Sequence, residues 1–123
     1  MQQMTSASVS RSAKWNGSGA NNEWTRADWF VALSGELGGA CNIAKKLTRL
    51  EKSQRGNNLD ESQLHAALAN ELSDTLQYLL LTAHACGVDL EKTTIENFNL
   101  KSKNLGFPER LGPDGLYFSG DNE

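Results

Sequence analysis

The chain has 123 residues, of which 12 are basic, 15 are acidic and 38% are apolar, with a formal net charge of −3. This length suits one domain with a small core, so we expect a homodimer or a homotetramer. The lack of a basic excess argues against nucleic-acid binding.

No apolar run reaches the roughly 18 residues of a membrane span, and the N-terminus has no signal-peptide hydrophobic region. Cys41 and Cys86 follow no metal-ligand spacing, and we expect both to be buried, reduced thiols. Together these features predict a soluble cytoplasmic protein without a membrane partner.

The N-terminal part changes character near residue 23. Residues 1–22 are rich in Ser, Asn, Gly and Gln, and they predict a mostly disordered tail. Thr25 and Asp28 then have the spacing of a capping box, which predicts a helix from about Thr25 to about Lys52. Apolar residues follow at alternating steps of three and four, the spacing of a helix face buried against other helices. They are Phe30, Leu33, Leu37, Ala40, Ala44 and Leu47.

Two further helices are predicted after the loop "SQRGNNLDES". Asp60 is a suitable N-cap for a helix over residues 61–86, and Gly87 is placed to end it. A third helix is predicted between Asp89 and Asn104. The buried stripe expected on the second helix consists of Leu64, Leu68, Leu72, Thr75, Leu76, Leu79 and Ala83.

The predicted fold class is all-α. No segment alternates with period two over a useful length, so we predict no sheet. Residues 23–106 form the helical domain, and residues 107–123 are expected to be a C-terminal tail or a coil packed on the surface. Three amphipathic helices make a thin core, and two chains pairing into a four-helix bundle would complete it.

Three carboxylates are predicted to converge between the first two helices. Glu71 and Asp74 are three residues apart and therefore share one face of their helix. Glu36 lies at the comparable edge of the first helix. Close like charges repel unless a cation is present, and hard oxygen ligands on a helical scaffold suit Mg²⁺ or Mn²⁺. The alternative is that all three are solvated helix acids.

The stretch "SGELGGACN", residues 34–42, holds three glycines inside the first helix, at Gly35, Gly38 and Gly39. Each costs the helix roughly 1 kcal/mol relative to alanine. A helix that accepts this cost usually needs the space for a packed neighbour or a ligand.

From Trp24 to Leu111 the chain resembles the MazG-like, all-α nucleotide pyrophosphohydrolases of phages and mobile elements. The matching segments are "ALSGELGGACNIAKKL", "NELSDTLQYLL" and "GVDLEKTTIENFNLKS". The resemblance implies cleavage of nucleoside triphosphates between the α and β phosphates, which gives a monophosphate and pyrophosphate. It also implies a metal site made of an ExxE pair on one helix and an ExxD pair on the next.

The resemblance assigns Glu36, Glu71 and Asp74 to a site for Mg²⁺, with Mn²⁺ as the other candidate. Metal ions neutralise the phosphates and lower the pKa of a bound water, and a carboxylate such as Glu36 or Glu71 can accept that water's proton. The second pair is intact as Glu71 and Asp74, whereas Gly39 stands where the first pair has its second Glu. Gly39 has two interpretations: a metal ligand is missing, or the glycine makes room for another group.

The expected substrate contacts lie on all three helices. Lys45 and Lys46 are candidates for phosphate oxygens, although both also suit a solvated face. Asn42 matches an Asn of the family pattern. The family has a Lys where Asn97 stands here, and Lys101 or Lys103 is the candidate to replace it. Near the start of the first helix, Trp24, Trp29 and Phe30 are candidates for stacking on the base, and core packing is the alternative for Trp29. The Tyr78 hydroxyl either reaches the site or caps the core.

Two other classes of function remain open at this point. A degenerate relative would bind nucleotides without hydrolysing them, and the loss of Glu at position 39 favours that interpretation. A purely structural helical oligomer would leave the acids solvated.

Overall fold

The computed structural model describes residues 1–14, 23–52 and 60–119, and this part of the chain is mostly helical. It therefore fits the predicted all-α class. Its elements in chain order are α1 (Gln2–Ala13), α2 (Arg26–Glu51), α3 (Glu61–Ala85), α4 (Leu90–Leu105), β1 (Glu109–Leu111) and β2 (Tyr117–Ser119).

The three predicted helices are confirmed as α2, α3 and α4, with ends within about one residue of those expected. In α2, the Asp28 N–H donates to Thr25 Oγ1 at 3.2 Å, and the Thr25 N–H donates to Asp28 Oδ2 at 2.8 Å. Asp60 starts α3 with a second capping box. Gly106 ends α4 in the left-handed region, at φ 75°, which is open to glycine at little steric cost. Local capping chemistry thus fixes these helices.

The segment before residue 15 forms α1, and this corrects the prediction of a mostly disordered tail there. The least exposed side chains of α1 are small ones at spacings of three and four: Thr5, Ser8, Val9 and Ser12. This face packs on α3, and Ser8 is buried. Small side chains allow close approach between helices, but their polar composition resembles that of a tail. Residues 15–22 lie outside the described part of the chain.

The C-terminal part contains a two-stranded antiparallel sheet, so the prediction of no sheet is wrong. Arg110 pairs with Phe118, and each strand has three residues. Asn99 of α4 holds the hairpin, since its Nδ2 donates to the Leu111 carbonyl at 2.8 Å and its Oδ1 accepts from the Leu111 N–H at 2.7 Å. Strands this short carry too little alternation to be detected in a sequence.

The helices α2 and α3 pack along each other and run in opposite directions. Trp29 near the start of α2 meets Tyr78 and Thr82 late in α3. Further along α2, Gly39 meets Glu71, which lies earlier in α3. The buried apolar residues of the described chain are Trp29, Ala40, Leu64 and Leu80.

Much of the predicted apolar stripe is uncovered in one chain. Phe30 and Leu37 of α2 are 54% and 51% exposed, and Leu72, Leu76 and Leu79 of α3 are also exposed. We call these five residues the open apolar face. The prediction that they are buried is not met within a single chain, because α2 and α3 pack through other positions.

The α2 residues and the α3 residues of the open apolar face lie on the same side of the helix pair. Phe30 follows the α3-facing Trp29 by one residue, and Leu79 likewise follows the α2-facing Tyr78. One residue corresponds to a rotation of about 100°. Because the helices are antiparallel, the step from Trp29 to Phe30 and the step from Tyr78 to Leu79 turn toward the same side of the helix pair. Gln77 precedes Tyr78 and therefore lies on the opposite side, where α1 packs.

Two other predictions bear on the fold. Cys41 is exposed and Cys86 is partly exposed, so the expectation of two buried thiols is wrong, although both thiols are free. No helix in the described ranges combines the length and the apolar character needed to cross a membrane.

Candidate metal centre

Three carboxylates meet where α2 packs on α3. Glu36, Glu71 and Asp74 each offer an oxygen, and these oxygens lie within 4.8 Å of one another. Glu36 and Glu71 are half-buried and Asp74 is exposed. The spacing of three residues places Glu71 and Asp74 on one face of α3, and the packing of the two helices brings Glu36 to them. The structure therefore brings together the three acids that the sequence singles out.

The electrostatics of this cluster are those of crowded negative charges. Burial raises the pKa of Glu36 above its ordinary value of 4.5, and the charges of Asp74 and Glu71 and a hydrogen bond with Glu71 raise that pKa further. Without a cation, Glu36 retains its proton to a higher pH than a solvated glutamate. A bound cation would reverse this effect, because its positive charge favours the ionised carboxylate.

The donor set fits a hard divalent cation. All three groups are carboxylates, which suit Mg²⁺ and Mn²⁺ better than softer metals. Mg²⁺ prefers near-octahedral coordination, so about three positions would remain for water or for oxygens of a ligand.

Because Gly39 has no side chain, the Glu71 carboxylate can occupy the space beside it. A β-carbon at position 39 would lie 2.7 Å from Oε2 and 3.0 Å from Cδ of Glu71. These distances are shorter than the roughly 3.5–4.0 Å of optimal nonbonded contact, so a side chain there would displace the carboxylate. Position 39 thus faces the cluster, and its glycine accommodates the Glu71 carboxylate of α3. This geometry favours the interpretation that Gly39 makes room.

Gly35 and Gly38 have no such neighbour. A β-carbon at either position would meet no described atom within 4 Å. The expected close approach of another helix is therefore not present within the described chain. Both glycines are exposed on the surface of α2.

A cleft of about 400 Å³ opens beside the carboxylates, which is within the roughly 300–1,000 Å³ typical of ligand sites. Glu36 and Asp74 lie in its wall, α1 contributes polar side chains, and aromatic residues complete it. Trp29 packs against Trp24 with ring centroids 4.7 Å apart and against Tyr78 at 6.5 Å. The cleft thus joins an acidic part to an aromatic part.

Trp29 is mainly a core residue. Only 7% of it is exposed, and its carbonyl accepts a hydrogen bond from Thr82 Oγ1 at 3.4 Å. Trp24 is 37% exposed and lines the same cleft. Trp24 is therefore better placed than Trp29 to stack on a ligand, and Tyr78 borders the cleft.

The other predicted substrate residues lie outside this cleft. Asn42, Lys45 and Lys46 are exposed on α2, and the two lysines are roughly 14–15 Å beyond Glu36 along the helix axis, at 1.5 Å per residue. Lys101 lines a different groove, with Phe98 of α4, to which none of the three acids contributes. Their roles remain predictions.

No family model, curated protein or solved structure matches this chain. The assignment of the site therefore depends on its own geometry and on the resemblance of its short motifs.

Sequence reasoning missed the part of the cleft formed by α1. Ser8, Arg11 and Ser12 line it, together with Gln77 of α3. The spacing of small residues on α1 was the available signal, but the serine content suggested a tail. No sequence pattern marks Gln77 as a cleft residue, because its place in the cleft depends on where α1 packs.

Proposed function

We propose that this protein is a metal-dependent nucleotide pyrophosphohydrolase. It would hydrolyse a nucleoside triphosphate with one water to a nucleoside monophosphate and pyrophosphate. The observation that supports this proposal is the convergence of Glu36, Glu71 and Asp74, predicted from two separate motifs, within 4.8 Å of one another.

In this proposal the three carboxylates hold Mg²⁺ or Mn²⁺. The metal would neutralise phosphate charge and lower the pKa of a bound water. Glu36 or Glu71 would accept the proton of the attacking water. The water oxygen forms a bond to the α phosphorus, and the bond from that phosphorus to the oxygen bridging to the β phosphate breaks. Pyrophosphate leaves with that oxygen.

The surroundings of the acids support a phosphorylated ligand. Glu36 and Asp74 lie in the wall of a cleft of about 400 Å³, which leaves room for a phosphate chain beside these acids. Trp24 and Tyr78 offer aromatic surface for a base at the other part of the cleft.

A second candidate function is nucleotide binding without hydrolysis. It is favoured by Gly39, which leaves three carboxylates where the family pattern has four. Metal binding would then be weaker, and the site would hold a metal–nucleotide complex without efficient turnover. In the third class, a structural helical oligomer, the acids would have no ligand.

We also propose a homodimer that pairs through the open apolar face. Two copies of the α2–α3 pair would form a four-helix core, which would cover side chains that one chain leaves exposed. A homotetramer would be a dimer of such dimers.

The test is a pyrophosphate-release assay with Mg²⁺ or Mn²⁺ across ribonucleoside and deoxynucleoside triphosphates. The proposal predicts metal-dependent release that chelation abolishes and that Glu71→Gln removes. Thermal stabilisation by Mn²⁺ plus nucleotide without release would indicate the binding protein instead. Neither release nor stabilisation would indicate the structural oligomer.

A further inference from the structure

The helix α1 forms one wall of the cleft that contains Glu36 and Asp74. It reaches this position by packing its face of small residues on α3, with Ser8 buried. The resemblance to pyrophosphohydrolases begins only at Trp24, so it assigns no role to this helix.

Arg11 is fixed at the edge of that cleft. Its guanidinium donates a hydrogen bond to the side-chain oxygen of Gln77. Gln77 lies three residues after Asp74, one turn along the same face of α3, and its own amide is held by the Ser73 carbonyl and hydroxyl. The guanidinium is therefore bonded to a residue one helical turn from Asp74, and Arg11 and Asp74 line the same cleft.

Among the described residues that line the cleft, Arg11 is the only cationic one. Glu36 and Asp74 supply negative charge, yet within the described chain neither forms an ion pair with Arg11 at 4.0 Å or less. The bond to Gln77 uses one of about five N–H donors of a guanidinium. A fork of donors beside a metal-binding cluster is suited to a ligand that is itself anionic and binds metal.

We propose that α1 completes the nucleotide site and that Arg11 binds the phosphate chain of the metal-bound triphosphate. This inference rests on the proposed function. Phosphate oxygens would be held on one side by the cation at the carboxylates and on the other by the guanidinium, which matches phosphate geometry in two parallel hydrogen bonds. Lys45 and Lys46 do not line the cleft, so they do not replace this contact there.

The test compares Arg11→Gln with Lys14→Gln. Both changes remove one positive charge from an exposed residue at the same end of α1, but Lys14 does not line the cleft. Calorimetry would measure the binding of Mn²⁺ alone, of α,β-methylene nucleoside triphosphates with Mn²⁺, and of the matching nucleosides. Loss of a charge-assisted hydrogen bond predicts roughly 10- to 100-fold weaker triphosphate binding in Arg11→Gln. Mn²⁺ alone and the nucleosides should bind as before, and Lys14→Gln should stay within about twofold.

A purely structural role for Arg11 would weaken nucleoside and triphosphate binding together. Circular dichroism would check that Arg11→Gln retains its helices, and Arg11→Lys, which keeps the charge without the fork, should give an intermediate loss. Equal triphosphate affinity in Arg11→Gln and Lys14→Gln would overturn the role of Arg11 while leaving the proposed function intact. If the wild type bound no triphosphate analogue with Mn²⁺, the proposed function and this inference would both fall.

Discussion

At the scale of single residues, the Glu71 carboxylate occupies space that a side chain at Gly39 would fill. Two neighbouring glycines, Gly38 and Gly39, have the same cost in helix propensity but different surroundings. Only Gly39 lies against a carboxylate of the cluster. This contrast separates the effect of a glycine on the helix from its effect on the site.

Alanine substitutions at these two positions should therefore differ. We expect Gly38→Ala to stabilise the fold by up to about 1 kcal/mol and to leave Mn²⁺ affinity unchanged. Gly39→Ala should weaken Mn²⁺ binding, because its β-carbon would displace the Glu71 carboxylate. Thermal unfolding and Mn²⁺ titration of both variants would check this. Tighter Mn²⁺ binding by Gly39→Glu would instead favour the missing-ligand interpretation.

The raised pKa of Glu36 predicts how the metal-free protein responds to pH. Folded chains bind the Glu36 proton more tightly than unfolded chains, so this group makes the free energy of unfolding fall as the pH rises from below 4.5 through the raised pKa. Glu36→Gln should abolish that decrease and be more stable than the wild type at neutral pH without metal. Denaturant unfolding between pH 4 and pH 8 in chelator would measure the difference. If the wild type and Glu36→Gln lost the same stability over this pH range, the predicted contribution of Glu36 would be contradicted.

At the scale of elements, α1 is the least expected part of the fold. Its docking depends on small side chains, so a larger one should separate it from α3. We expect Ser8→Leu to destabilise the protein by about 1–3 kcal/mol through overpacking, whereas Ser10→Leu, on the exposed side of α1, should change stability by less than about 0.5 kcal/mol. Equal effects of the two substitutions on thermal unfolding would mean that α1 does not pack as described.

The sequence predicts α2, α3 and α4 well because their ends carry local chemistry, such as the capping boxes at Thr25 and Asp60. It also predicts the meeting of the three acids, because a spacing of three residues fixes a helix face. It does not predict α1, whose stability comes from tertiary contact rather than from its composition. The room that Gly39 gives to Glu71 likewise depends on the packing of two helices, which no local pattern describes.

At the scale of the whole molecule, the proposed dimer would bury the open apolar face between two chains. Leu72 is 54% exposed in one chain, so Leu72→Glu should leave the fold of the chain intact and prevent pairing. Leu116→Glu changes an exposed leucine of the hairpin that is not one of the five residues of this face, and it should pair as the wild type does. Light scattering at micromolar concentration would distinguish dimers from monomers. A wild type that is monomeric under these conditions would exclude the dimer.

We propose above all that Glu36, Glu71 and Asp74 bind a divalent metal. The most direct test is a calorimetric titration of Mn²⁺ into the wild type, Glu71→Gln, Asp74→Asn and the control Glu96→Gln, which neutralises an exposed acid on α4. Circular dichroism should show equal helix content, since each substitution preserves the shape of the side chain. We predict that the wild type and Glu96→Gln bind Mn²⁺ with similar affinity and that Glu71→Gln and Asp74→Asn lose at least about tenfold, or 1.4 kcal/mol. Unchanged affinity in both Glu71→Gln and Asp74→Asn would contradict the claim.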